Sequence, residues 1–565
     1  MERKYAVAGG ALLAAGVLVG AIYTFLPGGL TLLHRGAEHD LVDAGAIPPS
    51  RTDAPRVLVL ALDGVDRKLI YPMIHNGELP ELGRLLGGDA PKLPHARFDE
   101  SILSTLPSST LAAWATVFTG TPPAVHGVAG NEYFVRKERR LAAPAPVSIL
   151  DPSPVTLTYS DGYANELLSV PTIYQQLRER DPSANAWVSM SQFHAGAEKL
   201  LFASAPVILG AVAGALKGAL DVDRSMQKTP YAALDNEVVD NVIEALRESP
   251  QAPRLLTVYL TGTDYVAHGS EGGPDENRKR FLTEVTDPAV GRLRAALEKA
   301  DRGAPRWTVV VSDHGHTEVL HDERHALSTE DADDPPAVVR AAGYRLRPFT
   351  LETKPDADFQ AVMAYGGALA YVYVADRSTC AAPGSVCDFS KPARYREDIV
   401  PLAQAFFDAS DSGKAAPSMK DSLDLVLVRT AQPEGKQPFQ VYLGNGKSEP
   451  LEATLQRIPH ARYVRFAERL RELTVGPNGD HAGDIVLLAR NGNEDDVQRR
   501  FYFASLYRSW HGSPSKSDSE ISFIVAHPEQ DTAQIDRRVR AICGERMQQQ
   551  DVGNLAVDLV SPRAR

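Results

Sequence analysis

The chain is poor in cysteine, with three in 565 residues, so it cannot be a small domain held together by a disulfide framework. It also lacks an excess of positive charge. Lys and Arg number 60 against 72 Asp and Glu, a formal charge of −12, and no basic block stands out. An electrostatic grip on the nucleic-acid backbone is therefore not expected. Gly (43) and Pro (40) are close to average usage, which excludes collagen-like and low-complexity chains. No internal repeat is found. Long apolar runs are also scarce, so a protein made mostly of membrane spans is excluded.

The run that does stand out is residues 5–26, preceded by Arg3 and Lys4 and free of charge until Arg35. It is long enough to cross a bilayer, and no small-x-small cleavage site follows it closely. Residues 1–35 therefore read as an uncleaved signal anchor, with the rest of the chain on the periplasmic or other extracytoplasmic side. Residues 36–55 are polar and aperiodic and read as a linker. A second apolar stretch, residues 201–220, is interrupted by Lys217 and reads as a buried or substrate-facing helix. Cys380 and Cys387 are close enough in sequence to close a small loop in an oxidising compartment, leaving Cys543 over.

Beyond the linker, short apolar runs at 57–62, 256–260, 308–311, 485–489 and 521–526 alternate with helical patterns. Continuous apolar strands between helices predict an α/β fold with a mostly parallel sheet covered on both faces. Residues 330–480 are richer in Pro, Gly and polar stretches and read as a smaller lobe inserted into a main domain of 56–329 and 481–565.

Three of the strand candidates lead to aspartates: Asp63, Asp264 (with His268 four residues on) and Asp313 (followed by His314). Ligands of open α/β sheets sit at the carboxyl ends of the strands. Three carboxylates gathered there need cations to neutralise them, and the neighbouring histidines favour zinc over magnesium or calcium. His511, in SWHGS, can add a nitrogen. Residues 104–134 are rich in Ser and Thr, and Thr110 opens a helical stretch. There a hydroxyl meets free N–H groups and, beside a metal, can act as a nucleophile; Ser109 or Thr110 can equally serve as a simple N-cap. His316, His321 and His325 offer a conceivable third metal site, but spacing alone does not define ligand geometry, and they read as belonging to a solvated loop near the mouth of the site.

This order of motifs resembles the alkaline phosphatase superfamily, in its type I phosphodiesterase/nucleotide pyrophosphatase branch, from Val57 to Pro528. The family's Thr-Gly and Pro-x-x-His-Gly elements match Thr119-Gly120 and Pro123-Ala124-Val125-His126-Gly127, and Trp114 fits a Thr-x-x-x-Trp variant. The resemblance implies a three-layer α/β sandwich and two divalent metal ions, taken as zinc. Asp264, His268 and His511 would hold one. Asp63, Thr110, Asp313 and His314 would hold the other. It implies Thr110 as a nucleophile forming a covalent phosphothreonine, and a phosphate ester as substrate: a nucleotide, a lipid head group or an envelope polymer. His126 is expected to be structural. The family's Asn three residues after the nucleophile is Ala113 here, and the Pro before it is Ala112. No Arg or Lys near Thr110 stands ready for a dianionic monoester, which favours diesters. Two alternatives remain: a phosphoethanolamine-type transferase using the same site, and an inactive metal-stabilised protein binding anionic head groups. The C/S-x-P-x-R motif of sulfatases is absent around residues 108–112.

Overall fold

The computed structural model describes residues 38–40, 54–149, 151–160, 162–217, 225–329, 333–382, 384–433, 435–457 and 462–563. The predicted anchor lies outside these residues. Among the described residues, no helix is long and apolar enough to cross a membrane.

Among the described residues, two large sheets carry the fold, accompanied by two short two-stranded ribbons. The larger has eight strands, and its centre is parallel: Lys199–Leu201, Ala186–Ser189, Leu255–Leu260, Arg56–Leu62 and Arg306–Ser312 lie side by side in that order. Every residue of Leu255–Leu260 and of Arg306–Ser312 is buried. Strands made of Val and Leu at successive positions have apolar side chains on both faces, so both faces must be covered. Two helix groups do this. Pro230–Glu248 and Asp287–Asp301 pack together, and Gln550–Val560 packs on Thr110–Thr119 and Ile173–Arg180.

The sheet is mixed rather than mostly parallel throughout. Phe523–Ala526 pairs antiparallel to Arg306–Ser312, and Ala96–Phe98 pairs antiparallel to it in turn. At the other edge Glu38–Asp40 pairs antiparallel to Lys199–Leu201, so part of the stretch read as a linker is a sheet strand. Residue type does not encode strand direction, and a three-residue edge strand is made by its partner rather than by its own apolar pattern.

The smaller sheet has six antiparallel strands, in the order Ala361–Tyr365, Leu369–Val374, Ile485–Ala489, Leu423–Arg429, Phe439–Tyr442 and Ser448–Pro450. Ile485–Ala489, read from its apolar run as a strand of the main domain, is instead near the centre of this sheet. Its apolar pattern is common to any buried strand, and the register with Leu369–Val374 decides its place. Cys380 and Cys387 form a disulfide in this part of the chain, and Cys543 is free.

Two hairpin contacts tie the lobes together at the site. Ala368 N–H donates to the His511 carbonyl (2.9 Å), and Phe503 N–H donates to the Gly367 carbonyl (2.7 Å). Gly367 has φ +74°, and a Cβ there would lie 1.1 Å from Trp510 Nε1. Only glycine fits between the hairpin and that indole.

Candidate active site

The parallel strands deliver their carboxylates to one end of the sheet. Asp63 directly follows Arg56–Leu62, and Asp313 directly follows Arg306–Ser312. Asp264 sits in the first turn of helix Gly262–Gly269, and its fourth neighbour, His268, projects from the same helix. His511 follows the short strand Ser509–Trp510. Thr110 is the first residue of helix Thr110–Thr119, after Ser109 in extended conformation.

All seven predicted side chains converge. Asp63, Asp313 and His314 form one group, and Asp264, His268 and His511 another, each with donor atoms within 4.8 Å of one another. Thr110 Oγ1 lies 3.2 Å from His314 Nε2, so the hydroxyl faces the first group. Ser109 makes no side-chain capping bond to the helix.

Hydrogen bonding outside the groups fixes what each donor offers. Nδ1 of His268 faces the Ser509 carbonyl (2.7 Å), that of His511 the Ser108 carbonyl (3.0 Å) and that of His314 the Gly315 carbonyl (3.0 Å). A carbonyl only accepts, so each Nδ1 carries the proton and each Nε2 turns a lone pair inward. The carboxylates are held in the same way. Asp313 Oδ1 accepts from Gly64 N–H (3.0 Å) and its own neighbour His314 N–H (2.9 Å), and Asp63 Oδ2 accepts from the Tyr259 hydroxyl. Asp63 Oδ1, Asp264 Oδ1 and Asp313 Oδ2 are buried and without a hydrogen-bond partner.

Acceptors thus point at acceptors. His314 Nε2 is 3.5 Å from Asp63 Oδ1 and 3.3 Å from Asp313 Oδ2. His268 Nε2 is 3.3 Å and His511 Nε2 3.8 Å from Asp264 Oδ1. Burial and then the charges of Asp313 and Asp264 push the Asp63 carboxyl well above the usual carboxylate range. Burial, and then the neighbouring His314 and His268, hold the His511 imidazole well below its usual range, in the neutral form that binds metal. Lone pairs of three imidazoles and three carboxylates facing one another fit bound divalent cations and are costly without them.

Three residues of the site were not read from sequence. His316, expected in a solvated loop, is buried, with Nε2 3.1 Å from Asp264 Oδ1. The D-H-G-H spacing brings it near the strand end but does not fix its burial or orientation. Asn131 lines the cavity, and its Oδ1 accepts from Leu111 N–H (3.1 Å) at the start of the Thr110 helix. Asn131 lies 21 positions after Thr110 in sequence, and no local motif announces it. Tyr259 had no signal beyond its place in an apolar strand. His126 is structural as expected: fully buried, it pairs with Thr116 Oγ1 (3.0 Å) and accepts from Val128 N–H (3.1 Å).

A cavity of about 190 Å³ opens over the two groups. Tyr159, Tyr265, Tyr507, Trp510 and Val155 contribute to its wall, as do Val212 and Gly214 of the apolar helix Ala205–Lys217. Among the described residues, no Lys or Arg lines it.

A family model described as type I phosphodiesterase/nucleotide pyrophosphatase matches residues 57–492. No curated protein matches the chain in sequence. Among solved structures, phosphonoacetate hydrolase from Sinorhizobium meliloti in complex with phosphonoacetate is similar at 18% identity, covering 93% of this chain and 99% of that one, with a TM-score of 0.46. An inactive form of murine ectonucleotide pyrophosphatase/phosphodiesterase 5 in complex with AMP is similar at 12% identity, covering 90% and 96%, with a TM-score of 0.47.

Proposed function

Because the chain belongs to the type I phosphodiesterase/nucleotide pyrophosphatase family and is a phosphoester hydrolase, we propose that it cleaves phosphodiesters through a phosphothreonine formed at Thr110. The observation that carries this reading is the Thr110 hydroxyl, 3.2 Å from His314 Nε2 and facing a set of partnerless carboxylate oxygens.

Asp264, His268 and His511 would hold one divalent ion, and Asp63, Asp313 and His314, with Thr110, the other. Three imidazoles among the donors favour zinc. When bound, the ions supply positive charge that stabilises the phosphoryl oxygens and favours loss of the threonine proton. Thr110 Oγ1 forms the bond to phosphorus as the bond to the leaving alcohol breaks. Water then attacks the phosphothreonine and releases Thr110. Asn131, anchored through Oδ1 on Leu111 N–H, has its Nδ2 free to donate to a phosphoryl oxygen. The aromatic wall limits water at the reacting centre. A cavity without basic side chains favours a monoanionic diester over a dianionic monoester.

We also propose, from the sequence, that residues 1–35 anchor the enzyme with its catalytic domain outside the cytoplasm. The Cys380–Cys387 bond supports an oxidising compartment.

Replacing Thr110 by Ala tests the proposal. Turnover of a bis-p-nitrophenyl phosphate is expected to fall about 10³-fold or more, with both ions retained by elemental analysis. Unchanged turnover in that variant would remove Thr110 as the nucleophile.

A further inference from the structure

Four histidines crowd Asp264, and the family pattern accounts for three of them. The fourth, His316, is buried. Its Nδ1 lies 3.1 Å from Ser509 Oγ, and its Nε2 lies 3.1 Å from Asp264 Oδ1.

Ser509 decides which nitrogen carries the proton. Its single hydroxyl hydrogen goes to the Ala267 carbonyl, 2.8 Å away. Toward His316 the oxygen can then only accept, so the imidazole proton belongs on Nδ1. Nε2 is left as a bare lone pair opposite a carboxylate oxygen. Neither Nε2 nor Asp264 Oδ1 has a hydrogen-bond partner. Two acceptors held at 3.1 Å repel unless a cation binds both.

The backbone leaves room at that nitrogen. Gly64 has φ +68°, and a Cβ there would lie 2.6 Å from His316 Nε2. Its carbonyl is fixed by the buried Arg278 (2.7 Å), which also pairs with Asp66 (2.7 Å). The donor atoms of Asp264, His314 and His316 lie within 4.8 Å of one another, a third ligand-like grouping that shares Asp264 with the His268 and His511 set.

We propose that His316 is a further protein ligand of this centre, binding through Nε2 to the ion that Asp264 holds. The inference rests on the metal-loaded site proposed above. It gives that ion one more imidazole than the sequence pattern provides. A nitrogen-rich set selects zinc more strongly against magnesium and calcium.

The test uses the full chain loaded with zinc. In a crystal structure, a zinc–Nε2 distance of about 2.0–2.1 Å at His316 is expected. A separation beyond about 3 Å, with Nε2 donating to Asp264, would overturn the inference. His316→Gln gives a second reading, because a side-chain amide can still hydrogen-bond Asp264 but supplies no imidazole. Competition with a chelator should show one zinc weakened by more than the about 10–100-fold typical of a residue that only orients a ligand. The visible spectrum of the cobalt-substituted variant should also differ from that of the parent. Parental affinity and an unchanged cobalt spectrum would show a positioning hydrogen bond instead. If the variant does not fold, X-ray absorption on the parent chain counts the imidazoles directly. Zinc bound with His316 out of reach overturns this inference alone, whereas no zinc bound at all overturns it together with the proposed function.

Discussion

Replacing Asp63 by Asn should stabilise the protein when metal is absent and weaken it when metal is present. The donor oxygens of Asp63 and Asp313 lie within 4.8 Å of each other in a buried pocket. At that separation two charges repel by at least about 3.5 kcal/mol for an effective dielectric of about 20. Burial comes first and the Asp313 and Asp264 charges next in pushing the Asp63 carboxyl above its ordinary range. The sign follows from proton binding. Below about pH 4 the carboxyl is protonated in both the folded and the unfolded chain, and the site costs nothing extra. As pH rises from the ordinary carboxylate range toward the raised native value, the unfolded chain releases its proton while the native state keeps it, so native stability falls until the native carboxyl ionises too. Asn carries no charge at any pH and can still accept from the Tyr259 hydroxyl. Urea unfolding in excess chelator near pH 7.5 should therefore show the variant more stable by about 3 kcal/mol, with the gap narrowing toward pH 4. In zinc the order should reverse, because the variant lacks a ligand. A variant no more stable than the parent in chelator near neutral pH would refute the idea of crowded, uncompensated carboxylates.

Two further changes address other parts of the molecule. Asn131→Ala should lower kcat on a diester by about 10²–10³-fold, the scale for loss of one donor to a developing oxyanion, while zinc content stays at the parental level. A fall confined to metal content would place Asn131 outside the reacting centre. Cys380→Ser opens a bond between residues seven apart in sequence, and chain entropy sets the loss near 2.5 kcal/mol. Unfolding followed with and without reductant should show that loss in the parent and none in the variant.

The strand-end aspartates were legible because buried parallel strands leave an unmistakable apolar run, and the polar residue that stops it lies at the ligand end of the sheet. The pairing of Asp264 with His268 was legible because both ride on one helix, one turn apart. Spacing alone did not place His316. Its burial depends on Ser509 and Gly64, which approach from distant segments. Asn131 was hidden for the same reason, since its contact with Leu111 crosses a helix and a loop. The fold showed the same limit. The apolar composition of 485–489 identified a strand but not its sheet, and the edge strand Glu38–Asp40 owes its existence to Lys199–Leu201 rather than to its own residues.

The hairpin between Tyr365 and Leu369 gives the smaller lobe a mechanical task. It presses a bare glycine against Trp510 and clasps the carbonyl of His511. The indole lies nearly parallel to the His511 ring (interplanar angle 4°) and packs 4.5 Å from that of His268. The late histidine is therefore aimed by a structure that, among the described residues, contributes no member of the candidate metal-ligand groups. The two sheets act as jaws of one vice, and excising the smaller would leave the strand-end aspartates in place while loosening the grip on the imidazole opposite them.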